Sequence, residues 1–326
     1  MDTASATVFA NENAPHLAET FEETMAGAGG FYWGRIGGSD YEAVARRHAH
    51  DGRGFVDRAA DRYFSKDRTR VRELNGFFDK NLFTIRSNFD RYLELMDSSY
   101  LQTPAFTYAN ANLVRFIEGT DSAITPQENY TQAISKDKSL ATFRFVESLD
   151  PFLRSFKSFA EGRKVLIVSP FSRSVQAQLE FKDKLIRDYT FPTAEYMTYT
   201  SPITYNNRLD VMRGNIPSRT SNWLDEVDLM SQELANLDFD IALLSCGSYA
   251  TPLGVSIMRS GRRAFYLGGM LNVVFNLYGA RYDIPEYNSK LVLENRIDPI
   301  EAAEFETIRG GRAIANEGMR AYFRSK

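Results

Sequence analysis

Apolar and polar positions along the chain change their period near residue 160. Beyond it, the runs KVLIVSP, AEYMTYTSP, DIALLSC and RAFYLGG are short and nearly continuous in apolar residues. Segments of helical spacing separate them, over about 175–189, about 222–236 and after the Ser245–Ser248 turn. Strands apolar on both sides, alternating with amphipathic helices, predict a parallel sheet covered on both faces. The fold class expected is therefore α/β, a Rossmann-like, mostly parallel sheet preceded by a largely helical N-terminal region.

In that first half, helical spacing predicts helices over 15–25, 68–96 and 143–159, with Phe77, Phe78, Leu82 and Phe83 read as one buried cluster. The aromatic run FYWGRI breaks the pattern and ends at Gly37-Gly38, which reads as a strand and a glycine turn. Ser39-Asp40-Tyr41-Glu42 fits a capping box opening the next helix. Thr125-Pro126-Gln127-Glu128 and Asp298-Pro299-Ile300-Glu301 repeat that logic with proline at the first helical position, and Asp150-Pro151 opens another helix. A last helix is expected over 299–323. The division expected is a mostly helical region over 1–150, a Rossmann-like region over 151–285 and a helical segment over 286–326, packed as one unit.

Candidate chemistry gathers where the predicted strands end. Four of them close in small or turn-forming residues, at Ser169-Pro170, Ser201-Pro202, Ser245-Cys246-Gly247 and Gly268-Gly269. Right-handed crossovers bring such ends to one edge of a parallel sheet, where α/β proteins hold phosphorylated ligands. The stretch Ser245 to Ser248 has almost no side-chain bulk, so a ligand could approach the N–H groups opening the following helix; a tight turn alone would also account for it. Arg35 and Asp40 flank Gly37-Gly38, setting a cation and a carboxylate at another strand end, or pairing with each other.

Composition narrows the chemistry. The formal net charge of −3 gives no general attraction to nucleic acid. The one cysteine, Cys246, forbids an internal disulfide and fits a reducing compartment, hence the cytoplasm. No run approaches the ~18 apolar residues of a membrane span, so no transmembrane segment is expected. The three histidines, His16, His48 and His50, all precede the predicted sheet, and CGSYA lacks the leading glycine of a nucleophile elbow, which disfavours a hydrolase. Walker A and G-x-G-x-x-G fingerprints are absent. Sugar transfer from a nucleotide diphosphate needs only diphosphate neutralisation and a carboxylate for the acceptor hydroxyl, which this chain can supply.

The ordered segments FYWGRIGGSDYEAV, KVLIVSPFSRSVQAQ and FDIALLSCGSYATPLGVSIMRSGRRAFYLGGMLNVVFNLYGARYD resemble the GT-D-type glycosyltransferases of bacterial surface-polysaccharide biosynthesis. The resemblance implies a nucleotide-sugar donor, a glycan or lipid-linked glycan acceptor, a cytoplasmic site that can be peripheral to the inner membrane face, and a divalent metal such as Mn²⁺ or Mg²⁺. On this reading Asp40 is base or metal ligand and Arg35 neutralises phosphate. Gly37, Gly38, Ser39, Ser169, Pro170, Ser245, Gly247, Ser248, Tyr249, Gly268, Gly269 and Arg281 bind the donor, while Tyr249, Tyr278 or Tyr282 stack on base or sugar. The family pattern R-I-G-D-G-E is Arg35-Ile36-Gly37-Gly38-Ser39-Asp40 here, with Gly38 in place of one acid and Asp40 in place of the longer one. Gly-x-Arg-Trp becomes Gly279-Ala280-Arg281-Tyr282. The lost acid motivates an alternative, a non-catalytic nucleotide- or glycan-binding subunit of a polysaccharide assembly complex. Either reading requires the Arg35–Asp40 turn to reach the sheet edge that carries Ser245.

Overall fold

The computed structural model describes residues 7–9, 29–36, 39–51, 68–69, 71–72, 75–108, 130–131, 133–134, 139–142, 149–204 and 216–301. Its strands are β1 (Thr7–Phe9), β2 (Phe31–Ile36), β3 (Ala105–Tyr108), β4 (Ser139–Thr142), β5 (Lys164–Ser169), β6 (Glu195–Thr200), β7 (Ile241–Leu244) and β8 (Arg263–Tyr266). They form one eight-stranded sheet in the order β1-β4-β3-β2-β8-β7-β5-β6. Every pairing is parallel. The longer helices are α1 (Ser39–Asp51), α2 (Ile85–Gln102), α3 (Leu149–Ala160), α4 (Ser172–Leu179), α5 (Trp223–Ala235) and α6 (Ala250–Arg259), followed by the short α7 (Met270–Val274) and α8 (Pro285–Asn288).

Alternation along the strands feeds two cores. Leu166, Ala242, Leu244 and Tyr32 pack with Tyr41 of α1, Tyr92 of α2, Trp223 of α5 and Leu253 of α6. Val165, Ile167, Leu243, Phe265 and Trp33 pack with Phe152 and Phe156 of α3, Val175 of α4 and Leu271 of α7 on the opposite face. Successive side chains of a strand point to opposite faces, so a sheet covered on both demands apolar residues at every position. This is the Rossmann-like α/β class expected. Strands from both sides of residue 150 share the sheet, because β2 pairs with β3 on one side and β8 on the other.

Several local expectations need correction. The helix expected over 175–189 is α4, starting three residues earlier at Ser172 and ending at Leu179, with a 3-10 turn at Lys182–Lys184. Continuous helix is broken there because the Asp183 carboxylate accepts the Phe191 N–H at 3.0 Å and Asp188 takes a φ of 54°. The helix expected over 68–96 breaks at Gly76, whose φ is 84°, and restarts as α2. Asp79 fixes the break by accepting from the Asn81 N–H, the Thr84 hydroxyl and the Asn88 amide, each at 2.8 Å. That resets the phase of the apolar pattern: Phe77 and Phe78 are fully buried, whereas Leu82 is 46% and Phe83 98% exposed. The helix expected over 15–25 lies outside the described residues, as do residues 125–129 of the helix expected to open at Thr125, which is helical at 130–131 and 133–134, and residues 302–323 of the last helix.

The cap at Asp298–Glu301 also differs. Glu301 is buried and its carboxylate turns away to the start of α4, accepting the N–H groups of Arg173 at 2.8 Å and Ser174 at 3.2 Å and the Ser174 hydroxyl. A helix start offers unpaired donors and a positive dipole end, and here a carboxylate from far along the chain satisfies both. Glu301→Gln, which keeps the shape and removes the charge, should lower unfolding free energy by about 1–3 kcal/mol. An unchanged urea midpoint would show that the carboxylate does not hold α4 in solution. By contrast α5 matches its expected bounds, with the Asn222 side chain accepting the Asp225 N–H at 3.1 Å as cap.

Candidate active site

All strands being parallel, the carboxyl ends of β2, β8, β7 and β5 lie side by side on one edge. The connections after β2 and β8 leave toward opposite cores, α1 on one face and α7 on the other. Such a divergence opens a crevice between strand ends. Arg35, next to last in β2, reaches across it to the turn after β8. A Cβ at Gly268 would lie 2.6 Å from Arg35 Nη1, and Gly268 has a φ of 57°, so this position excludes a side chain on two counts. At Gly269 a Cβ would meet Tyr282 Oη at 1.6 Å, which brings the Tyr282 hydroxyl to the same turn. The early Arg35 and the late glycine pair are therefore neighbours.

Asp40 stands in the first turn of α1 with 4% of its surface exposed. Burial raises its pKa to about 6; the N–H groups of Tyr41 and of Asp40 itself, the Tyr100 hydroxyl and the Arg35 charge oppose that rise. Tyr100, at the end of α2, donates to Asp40 Oδ2 at 3.3 Å. A carboxyl of this kind ionises close to neutrality, the property a general base needs. Nothing in the α2 pattern distinguished Tyr100 from its buried apolar neighbours.

The Ser245–Tyr249 turn serves two purposes. Gly247 has a φ of 61°, which lets the chain reverse between β7 and α6. Ser248 is fully buried, accepting from Trp223 Nε1 at 3.0 Å and donating to the Asn75 carbonyl at 2.8 Å. Tyr249 stacks on Trp223 with ring centroids 5.3 Å apart. The Thr204 hydroxyl gives its proton to the Gly76 carbonyl at 2.6 Å, so Tyr249 Oη is the donor to Thr204 Oγ1 at 2.7 Å. These two side chains anchor the turn. Ser245 is half-buried, and its N–H belongs to the sheet, donating to the Val168 carbonyl at 2.8 Å.

At the β5 end, Ser169 Oγ accepts the Phe171 N–H at 3.1 Å, Pro170 is half-buried, and the start of α4 is occupied by Glu301. The close approach of a cation to a glycine turn is thus found at the β2 and β8 ends and not at the β5 end. Gly37, Gly38 and the side chains of Ser39 and Arg281 lie outside the described residues. Cys246 is buried, and burial pushes its thiol pKa up, away from thiolate chemistry. His48 packs against the Tyr130 ring at 5.3 Å, in α1.

Among the described residues no three of His, Cys, Asp or Glu converge as a metal-binding group. A buried, singly placed carboxylate whose proton affinity is raised is not by itself a donor set for a hard divalent cation, which takes several oxygens. No helix among the described residues is long and apolar enough to cross a membrane.

Neither the protein-family models nor the curated proteins contain a match to this chain. A solved structure described as a selenomethionine-substituted domain of unknown function 1792 (DUF1792) is similar at 12% sequence identity and a TM-score of 0.39, over 82% of this chain and 80% of that one.

Proposed function

We propose that this protein is a glycosyltransferase that moves a sugar from a nucleotide-sugar donor to a glycan acceptor in surface-polysaccharide biosynthesis. The observation that carries the reading is the meeting of Arg35 with Gly268 at the carboxyl edge, with the ionisable Asp40 close enough to feel the Arg35 charge. The guanidinium would neutralise the donor diphosphate as its bond to the sugar breaks, while the bare Gly268 backbone admits the phosphate closely. Asp40 would take the proton of the acceptor hydroxyl as that oxygen attacks the anomeric carbon, and Tyr100 holds the carboxylate in place. These steps use the chain's own residues, and none is routed through a metal.

The burial of Asp40 favours a second reading, a subunit that binds nucleotide or glycan without turnover. Thermal-shift measurements with UDP, GDP and CMP sugars, with and without Mn²⁺, should reveal a stabilising donor. A donor present at a hundred times its Kd adds about 2.7 kcal/mol of apparent stability. Arg35→Ala should abolish that shift while leaving the ligand-free melting temperature close to wild type. No shift with any donor would sink the site assignment; a shift without donor turnover would favour the binding subunit.

A further inference from the structure

Phe83 is 98% exposed and Leu82 beside it 46%, on a turn with little freedom to fold them away. Asp79 holds that turn through Asn81, Thr84 and Asn88, and the Asn81 side chain accepts the Phe83 N–H at 2.9 Å. Backbone bonds join the same turn to the segment before α5: the Lys80 N–H donates to the Ser221 carbonyl at 2.9 Å, and the Trp223 N–H to the Phe78 carbonyl at 3.0 Å. An aromatic side chain fixed outward keeps apolar surface in water, and its turn needs no further ordering on contact with a partner. The turn also has a definite place in the fold. Just before it, the Asn75 and Gly76 carbonyls accept from Ser248 and Thr204, which follow β7 and β6. The Leu82–Phe83 tip therefore lies at the end of the molecule that carries the strand carboxyl ends and the candidate site.

The flanks of the tip are basic. The Lys80 ammonium donates to the Ser218 carbonyl at 3.1 Å, a neutral partner, and Arg86 stands in the first turn of α2, which has no acidic residue. The positive dipole end of this 18-residue helix adds to both. Arg68 and Arg86 are near enough to act on each other, with Asp90 between them, while Arg47 is paired with Glu94 at 2.8 Å. On the α5 side the Asp225 carboxylate is engaged by Ser221 and Asn222. We propose that Leu82 and Phe83 insert into the surface of a bilayer carrying anionic phospholipids, with Lys80 and Arg86 meeting the headgroup phosphates. Aromatic and aliphatic side chains inserted at the headgroup level beside basic ones are the physics of peripheral membrane binding. A second copy of the chain fits less well, since a twofold contact at this tip would set Lys80 and Arg86 against their own equivalents. Two adjacent side chains also fall far short of the roughly 1,200 Å² that a stable interface buries, and Leu101 lies at the other end of α2. That attachment would turn the site toward a lipid-linked acceptor rests on the glycosyltransferase reading; the attachment itself does not.

The test is co-sedimentation of the full chain with vesicles of phosphatidylcholine, with and without phosphatidylglycerol, in the absence of donor and acceptor. Binding should need the anionic lipid and weaken as salt is raised. Phe83→Ala should lower the partition constant by about ten- to a hundredfold, and Lys80→Gln or Arg86→Gln by about fivefold each. Phe83→Trp should keep the binding, and its emission should shift to the blue with vesicles and be quenched by brominated lipid. Trp33 and Trp223, the chain's two tryptophans, are buried and leave that signal readable. Phe83→Ala should melt at the wild-type temperature, because the ring it removes packs on almost nothing. No preference for anionic vesicles, or binding that Phe83→Ala leaves unchanged, overturns the proposal. So does self-association in light scattering that Phe83→Ala abolishes, since the tip would then be covered by a second copy. Turnover is measured separately: vesicle binding by a chain that transfers no sugar would remove the transferase reading and leave the attachment standing.

Discussion

Asp40→Asn should reduce nucleotide-sugar turnover by about 10²–10⁴-fold, the contribution of a positioned general base, while leaving the sheet intact. The same substitution has a stability signature whose sign follows from burial. The Asp40 pKa is raised from 3.8 to about 6 in the folded protein, so between those values the native state holds a proton that the unfolded chain has lost. Stability from this group is fully present below the unfolded value and is lost as pH rises through the folded one. Ionised Asp40 then costs on the order of 2–3 kcal/mol near pH 7. Asparagine carries no such charge. In urea unfolding, the stability of Asp40→Asn relative to wild type should grow from pH 4 to pH 6.5 and level off above it. Turnover by the wild type should rise across the same interval, because only the ionised form accepts the acceptor proton. A variant that is inactive yet gains nothing with pH would contradict the buried, proton-binding state of Asp40.

The sheet was legible because its cause is local: a strand covered on both faces must be apolar along its buried length, and β7 and residues Val165 to Val168 of β5 are. The edge was legible for the same reason, since chain reversals after β7 and β8 require small residues with left-handed backbone at Gly247 and Gly268. What the local pattern does not encode is the partner of a side chain. Ser248 looks like a ligand contact in a small-residue turn, yet its hydroxyl is held by Trp223 and Asn75. Glu301 fits a capping box in sequence but caps α4 across the molecule. Phe83 continues an apolar rhythm that the Asp79 turn interrupts. In each case a long-range or side-chain hydrogen bond outweighs a local signal, and such bonds have no periodicity to detect. Tyr100 was hidden differently, as an aromatic member of an apolar face that carries a hydroxyl to Asp40.

Trp223→Ala should produce the largest loss of stability among the core positions flanking the site, about 3–5 kcal/mol. Trp223 is fully buried and is the largest such side chain in the core. Its ring stacks on Tyr249 and receives the edge of Tyr92, while its indole N–H bonds the Ser248 hydroxyl at 3.0 Å. One side chain thus ties α5 to α2 and to the turn between β7 and α6. Truncation would open a cavity between these elements and leave Ser248 with only its bond to Asn75. Trp223→Phe, which fills most of the volume and removes only the indole N–H, should cost about 1–2 kcal/mol. The two variants also separate packing from site geometry. If the turn is held chiefly by ring packing, the phenylalanine variant keeps the donor-induced thermal shift. If the bond to Ser248 sets the position of the turn, that variant stays folded and the shift falls, with the alanine variant losing both.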